Sequence, residues 1–506
     1  MPSSIETGIV FVCYFVVLIL IGFFFFKRTD TLPDFFIGGR RLNPWLSALS
    51  VYAGDMSGWL MLGLIGTVYS FGIGQMWIAL GLVLGTLLNW LLVARRLRRY
   101  TLTTQYSITI PEYFENRFKD TSHILRFISA LIIAVFFVVY TSAGFVACGL
   151  LFEYVFGIDY QIALLAGALV IFTYTFMGGF RAICWTDLVQ ALLILAVVVS
   201  VPLTALYRME GADIFTAHTP EFFDIFTGEK GRPLTTVSIL SKLAWGLGYF
   251  GMPHILVRFM ALRREREIPW AAGIGGLAAA LSLGCAVLMG MTGLFFVQES
   301  SSADTVFILI IQRLFMGPGS IPFLGNLFLC GILAAIMSTT DSQLLAAASA
   351  ITSDLYQGMA HRNMQSKQLL WLSRFTVALI CIIAYIIAVG RSSTIMGLVS
   401  NAWSGFGSAF GALILLSLYW RRLNRSGAIA GILAGGLTVI LWDYIPCVPA
   451  GGAWNTINEA TGLYSLAPGF CASMVFIVAV SLLTKPPVPA VYEEFERASI
   501  KPIFEE

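Results

Sequence analysis

Charge is what this sequence is shortest of. Only 12% of its 506 residues are Asp, Glu, Lys or Arg, against about 25% in soluble domains. A chain so poor in charge cannot cover its surface with polar groups, so most of that surface must face lipid. The net charge of +3 is small, and no basic stripe with interleaved aromatics marks a nucleic-acid surface. There are four histidines, and they are scattered. HExxH, paired catalytic acids and a nucleophile–base pair are all missing, which argues against an intramembrane enzyme. The eight cysteines (13, 148, 184, 285, 330, 381, 447, 471) include no CxxC pair. They lie in or at the edges of apolar segments and read as free buried thiols, not as a disulfide or metal framework.

Apolar sequence is plentiful, at 58%. A spanning helix needs about 20 mostly apolar residues. Thirteen stretches qualify, starting near residues 6, 45, 74, 124, 160, 184, 235, 269, 320, 371, 394, 426 and 465. The first is no signal peptide, because Glu6 precedes it and Lys27-Arg28 follow it. Basic residues orient the array. With Lys27-Arg28 inside, Arg40-Arg41, "ARRLRRY", "RRERE" (from Arg263), "HRNMQSK" and "RRLNR" (from Arg421) also fall inside, as does the tail from Lys485. Of 31 basic residues, only Arg208, Lys230, Arg232, Lys242, Arg313 and Arg391 fall outside or near it. The expectation is an all-α polytopic membrane protein with thirteen transmembrane helices, N-terminus out and C-terminus in. The longest outer loop, about residues 207 to 233, carries Glu210, Asp213, Glu221 and Asp224.

Two of these helices are interrupted. Helix 2 contains "AGDMSGW" and helix 7 contains "AWGLGYFGMPH", with Pro253. Inverted-repeat transporters place broken helices at corresponding positions in two halves. An offset of five helices requires opposite orientation, so helices 2–6 and 7–11 fit a five-plus-five inverted repeat. The expected domain is single, over 1–484. It divides into 1–44 (peripheral helix 1 and loop), 45–233 and 234–424 (the two repeats) and 425–484 (peripheral helices 12 and 13). A cytoplasmic tail of 485–506 is too short for a sensor's output domain. Gly246, Gly248 and Gly251 satisfy G-x-G-x-x-G, but a membrane span is the wrong context for a dinucleotide fingerprint. Gly427, Gly431 and Gly435 read as close helix packing. His254, after Pro253, reads as structural.

Gly54, Gly58 and Ser57 let helix 2 unwind. Unwound backbone inside a membrane must be buried or line a cavity, where freed carbonyls can coordinate a cation. Helix 9 supplies matching chemistry in Ser338, Thr339, Thr340, Asp341 and Ser342. Ser338, Asp341 and Ser342 share one helix face, and a carboxylate inside a span is a functional hypothesis by default.

At these residues a resemblance enters. "GGRRLNPWLSALSVYAGDMSGWLMLGL", "IPEYFENRF", "GGFRAICWTDLVQA", "WGLGYFGMPHILVRFMA" and "ILAAIMSTTDSQLLAAASAITSDLY" together resemble the sodium:solute symporter family, and within it the sodium/proline branch. The resemblance covers nearly the whole chain. It implies a LeuT-like fold, a multi-pass place in the bacterial plasma membrane, and Na⁺ as the co-transported ion. It implies Na⁺ ligands at Ala53, Met56, Ala335, Ser338 and Thr339. Asp55, Ser57, Gly58 and Arg40 are implied in sodium coupling. Trp59, Tyr140, Trp245, Tyr249 and Pro253 are implied in binding L-proline or a similar small zwitterion. Aromatic faces suit proline's ring and ammonium.

Two departures stand out. The branch usually carries glutamine where this chain has Met252, which leaves open another small carboxylate such as pantothenate. The best-known proline symporters are uncharged at the positions of Asp341 and Ser342. Together with Asp187, in "CWTDLVQ", and Ser338, these residues suggest a second cation site, and a proton-coupled variant also stays open.

Overall fold

The computed structural model of the protein describes residues 4–26, 31–177, 179–209, 219–297, 302–317, 319–358, 366–390, 394–450 and 453–499. Lys27, Arg28, Glu210, Asp213 and Arg391, which entered the topology argument, lie outside the described residues, as does most of "HRNMQSK".

The chain is helical almost throughout. In order come α1 (Ser4–Phe26), α2 (Pro44–Asp55), α3 (Trp59–Phe71), α4 (Ile73–Thr103), α5 (Ile110–Phe118), α6 (Ile124–Phe156), α7 (Tyr160–Met177) and α8 (Phe180–Arg208). Then follow α9 (Thr236–Leu243), α10 (Pro253–Met260), α11 (Ile268–Phe296), α12 (Val306–Phe315), α13 (Pro322–Tyr356), α14 (Ser366–Val389), α15 (Ile395–Tyr419), α16 (Arg425–Tyr444), α17 (Leu466–Leu483) and α18 (Pro489–Ser499). Among the described residues, ten helices are long and apolar enough to cross a membrane, or eleven if α2 and α3, bent by 53°, are one span. Two of the expected thirteen miss this measure. One is α7, which is short, and the other is broken into α9 and α10.

The breaks have local causes. Asn43 caps α2 by accepting from the Leu46 amide at 2.8 Å, and Pro44 takes the first helical position. The helix stops where Met56 leaves helical dihedrals (φ −76°, ψ 79°). Thr235 caps α9 in the same way. After Leu243 the chain tightens into a 3₁₀ turn over Ala244–Gly251, extends at Met252, and restarts at Pro253. Glycine is required in that turn. A Cβ on Gly246 would collide with the Gly81 carbonyl of α4, and one on Gly85 with the Gly246 carbonyl. Of the G-x-G-x-x-G glycines, Gly246 thus makes a backbone-to-backbone seam with α4, Gly248 leaves room for the Trp403 ring, and Gly251 meets the Phe406 carbonyl of α15.

Burial separates centre from periphery. In the most apolar stretch of α13 and of α15, 83% of residues are buried, against 28% in α1 and 33% in α16 and α17. A two-stranded antiparallel hairpin, β1 (Val448–Ala450) and β2 (Ala453–Asn455), joins α16 to α17.

Ion pairs gather at the end of the bundle that carries the basic clusters. Glu265 holds Arg95 (2.9 Å) and Arg99, and Arg425 meets Asp120 at 2.7 Å. The tail is not loose there. α18 buries Val491, Phe495 and Ala498, pairs Glu494 with Lys119, and presents its last carbonyls to Arg99. Phe495 also lies 5.3 Å from the guanidinium of buried Arg117, whose Nη atoms have no hydrogen-bond partner.

Candidate functional site

The two breaks face each other and α13. The Ser338 hydroxyl lies 2.8 Å from the Ala53 carbonyl and 3.2 Å from that of Ala335. Thr339 reaches the same two carbonyls at 3.3 Å. Four neutral oxygens of the expected Na⁺ set are thus within one hydrogen-bonded cluster, the kind of donor a hard cation takes. Met56 is the residue whose dihedrals turn its carbonyl out of the helical ladder. Among the described residues, no three His, Cys, Asp or Glu side chains gather as a transition-metal site would need.

Asp55 is buried at the end of α2. Its Oδ2 accepts from the Tyr249 hydroxyl, its carbonyl accepts from Trp59 Nε1 at 2.9 Å, and its Oδ1 has no partner. The aspartate therefore ties one broken helix to the other. Ser57 Oγ accepts from the Trp59 amide at 3.3 Å. Gly58 leaves room for Ala147, which a Cβ there would meet at 2.9 Å.

Trp59 and Tyr140 line a cavity of about 10 Å³ together with Thr339 and Gln343, room for at most about one water. The Tyr140 hydroxyl is buried without a well-formed hydrogen bond. Trp245 and Pro253 do not line this cavity. The Trp245 ring stacks on Tyr464 at 5.0 Å, its carbonyl accepts from Trp403 at 2.8 Å, and Pro253 opens α10. Tyr249 does not line the cavity either; its ring is edge-on to Trp403 at 5.1 Å. Met252 is fully buried at the break.

Arg40 is elsewhere, at the basic end. Its guanidinium donates to Thr101 Oγ1 (3.1 Å), the Met260 carbonyl (2.9 Å) and the Ser107 carbonyl (2.7 Å). Burial, with nearby Arg98, holds its pKa down to about 10, so it stays charged at neutral pH.

Asp187, Asp341 and Ser342 do come together, with a partner the sequence reading missed. Arg258 of α10 donates to Asp187 Oδ2 at 2.9 Å, to Ser342 Oγ at 2.6 Å and to Ser50 Oγ at 2.7 Å. Ser50 in turn donates to Asp187 at 2.5 Å. Asp187 is thus buried and paired. Asp341 accepts from Ser342 at 3.1 Å and pairs with the Tyr174 hydroxyl. An arginine four residues after His254 in an apolar helix was the available signal. Gln343 was missed as well. Its amide is buried with neither Oε1 nor Nε2 partnered, and it stands i+4 from Thr339, hence on the same face.

With this geometry in place, known proteins can be set beside it. The sodium:solute symporter family matches residues 35–435. The osmoregulated proline transporter OpuE of Bacillus subtilis is 41% identical over 500 residues, covering 97% of this chain and 98% of its own. A sodium/proline symporter of Staphylococcus aureus is 41% identical over 497 residues, covering 95% and 93%. Among solved structures, a Na⁺-coupled sialic acid symporter superposes with TM-score 0.78 at 18% identity, over 95% of this chain and 98% of that one. The nucleobase-cation-symport transporter Mhp1 gives 0.54 at 13%, over 92% and 98%. These two are likenesses of fold. The breadth of the family match and the full-length identity to its transporters leave one assignment: the chain is a multi-pass membrane transporter of the sodium:solute symporter family.

Proposed function

We propose that the protein couples entry of Na⁺ to uptake of L-proline by alternating access. Cation coupling rests on one observation, the convergence of Ala53, Ala335, Ser338 and Thr339 oxygens where α2 breaks against α13. Met56 completes the proposed ligand set. The choice of proline is supported by the two full-length relatives.

In this reading Na⁺ binds from outside and draws α2 to α13. Asp55 passes that change to α9–α10 through Tyr249, and Ser57 and Gly58 fix the turn between them. Trp59, Tyr140 and Tyr249 receive the cargo, with the unpartnered amide of Gln343 as a polar contact. Trp245 and Pro253 bear on the pocket as the outer side closes. Arg40, bound to α4, α10 and the segment before α5, ties the inner gate to the ion. A negative interior adds about 2.3 kcal/mol per charge for each 100 mV.

The architecture proposed with it has thirteen spans, counting α2–α3, α7 and α9–α10, with the N-terminus out and the C-terminus in. The spans from α2 to α8 and from α9 to α15 form five-plus-five repeats within one domain over 1–484, followed by the tail at 485–506. Asp187, Asp341 and Ser342 are proposed as a second cation locus in which Arg258 already supplies one positive charge.

The test is uptake of radiolabelled L-proline into proteoliposomes with and without an inward Na⁺ gradient. Sodium-driven accumulation that vanishes in Asp55→Asn is expected. A second reading, another small carboxylate such as pantothenate, draws on buried Met252 at the break. Failure of a folded sample to accumulate proline, with competition by such a carboxylate, would favour it. Uptake driven by a pH gradient alone would instead mean proton coupling.

A further inference from the structure

A cavity of about 120 Å³ opens at the basic end of the bundle, between the turn before α2 and the start of α8. Arg41, Asn43, Leu46, Arg181 and Trp185 line it. It has no part in the pocket beside Trp59 or in the Asp187 cluster.

The site is built by backbone. Gly38, Gly39 and Arg40 are consecutive left-handed residues (φ 62°, 63° and 55°). That turn sends Arg40 into its three internal hydrogen bonds and leaves Arg41 on the surface. Leu42 then pins the turn, donating to the Ala261 carbonyl at 3.1 Å and accepting from the Arg263 amide at 2.9 Å. Gly38 is needed for a second reason. A Cβ there would meet Arg181 Cγ at 2.8 Å and Phe180 Cδ1 at 3.1 Å, so its absence lets the Arg181 stem lie against the turn. The Arg181 guanidinium is 5.6 Å from the Phe25 ring, which stacks on Trp185.

Two guanidiniums thus share a cavity, and among the described residues neither has an acid partner. The one acid in the short helix Leu32–Ile37 before the turn, Asp34, accepts at 2.6 Å from its own cap, Thr31. Asn43 uses its Oδ1 for the α2 cap, which leaves its amide nitrogen as a donor. Planar forks of this kind match phosphate oxygens. The flank is apolar, with Leu46 and half-exposed Trp185 in the lining and Trp45 63% exposed beside it. Tryptophans of this sort sit at the headgroup level of a bilayer, and basic pockets between spans bind acidic headgroups.

We propose that the Arg41–Arg181 cavity binds the headgroup phosphate of an anionic phospholipid from the leaflet at the basic end. The bound lipid holds the Gly38–Arg40 turn, and with it the grip of Arg40 on α4 and α10. A free phosphate offers the same oxygens without the acyl chains, so the two sources can be told apart.

Native mass spectrometry of detergent-purified protein tests this without reference to cargo or coupling ion. Dioleoyl phosphatidylglycerol is expected to leave adducts where dioleoyl phosphatidylcholine does not, and millimolar inorganic phosphate should not displace them. Arg41→Gln/Arg181→Gln should weaken the adduct by roughly tenfold or more. If that pair does not fold, Arg41→Gln alone replaces an exposed side chain and should still give a several-fold loss. Adducts equal in wild type and variant, or displaced by inorganic phosphate, would overturn the proposal.

Discussion

Gln343 holds a complete amide in a place where nothing answers it. A buried polar group without partners costs about 1–3 kcal/mol, and Gln343→Leu removes that cost. The cargo-free variant should therefore unfold about 1–2 kcal/mol harder than wild type, as a denaturant titration would read. Its KM for proline should rise roughly tenfold to a hundredfold, the worth of a hydrogen bond to a charged ligand. Stability rising while affinity for proline falls is the diagnostic result; a destabilised variant with unchanged KM refutes the role. Asp341→Asn, two residues back on the same helix, should lower the sodium Hill coefficient of uptake if Asp341 helps hold a second ion. An unchanged coefficient removes that ion from the cycle. At this scale the sequence was readable wherever polarity broke an apolar run. Asp55 and the block from Ser338 to Ser342 stand out for that reason. Arg258 did not, because its meaning is in Asp187, 71 residues away in the chain, and one sequence carries no record of such pairs. Trp245 is assigned to the pocket by resemblance alone; in the structure its ring stacks on Tyr464.

Helix breaks were legible because glycine and proline act locally. The discontinuities at Met56 and Met252 fall inside "AGDMSGW" and "AWGLGYFGMPH". Helix starts were legible for the same local reason, since Asn43, Thr235 and Asn424 are caps. The tail was not. Eleven residues with a mixed face look like solvent-exposed helix until Lys119, Arg99 and Arg117 are brought to them from elsewhere. Phe495 is the anchor of α18. Phe495→Ala should loosen α18 by about 1–3 kcal/mol, less than a full core Phe→Ala because the ring is at an edge. Limited trypsinolysis at Arg497 should then be faster while the remaining chain stays intact. Equal cleavage rates in wild type and variant would mean that α18 is held by its ion pairs alone.

The broken helices are held by two unlike contacts. On one side the turn of Ala244–Gly251 meets α4 through bare backbone at Gly81, Gly85 and Gly246. Such a contact has no side chains to re-pack, so the two elements should move as one body. On the other side α2 meets α13 through hydroxyls and carbonyls at 2.8–3.3 Å, which can exchange one oxygen partner for another at little cost. Relative motion should therefore run along the second contact. Spin labels at exposed Leu84 and Val237, on the two elements that meet at the glycine seam, should keep their separation when Na⁺ and proline are added. Labels at Leu84 and Ile383, across the oxygen contact, should change theirs. A shift in the first pair would reverse the assignment. The overall plan of helices was open to sequence reading because length and hydropathy declare spans; which interface slides was not, since that depends on how closely two backbones approach. Seen mechanically, the transporter is a masonry of two blocks. One joint is locked by the lack of side chains; the other is the one that, in the proposed cycle, a monovalent ion would set and release, with sodium as the removable mortar of the structure it energises.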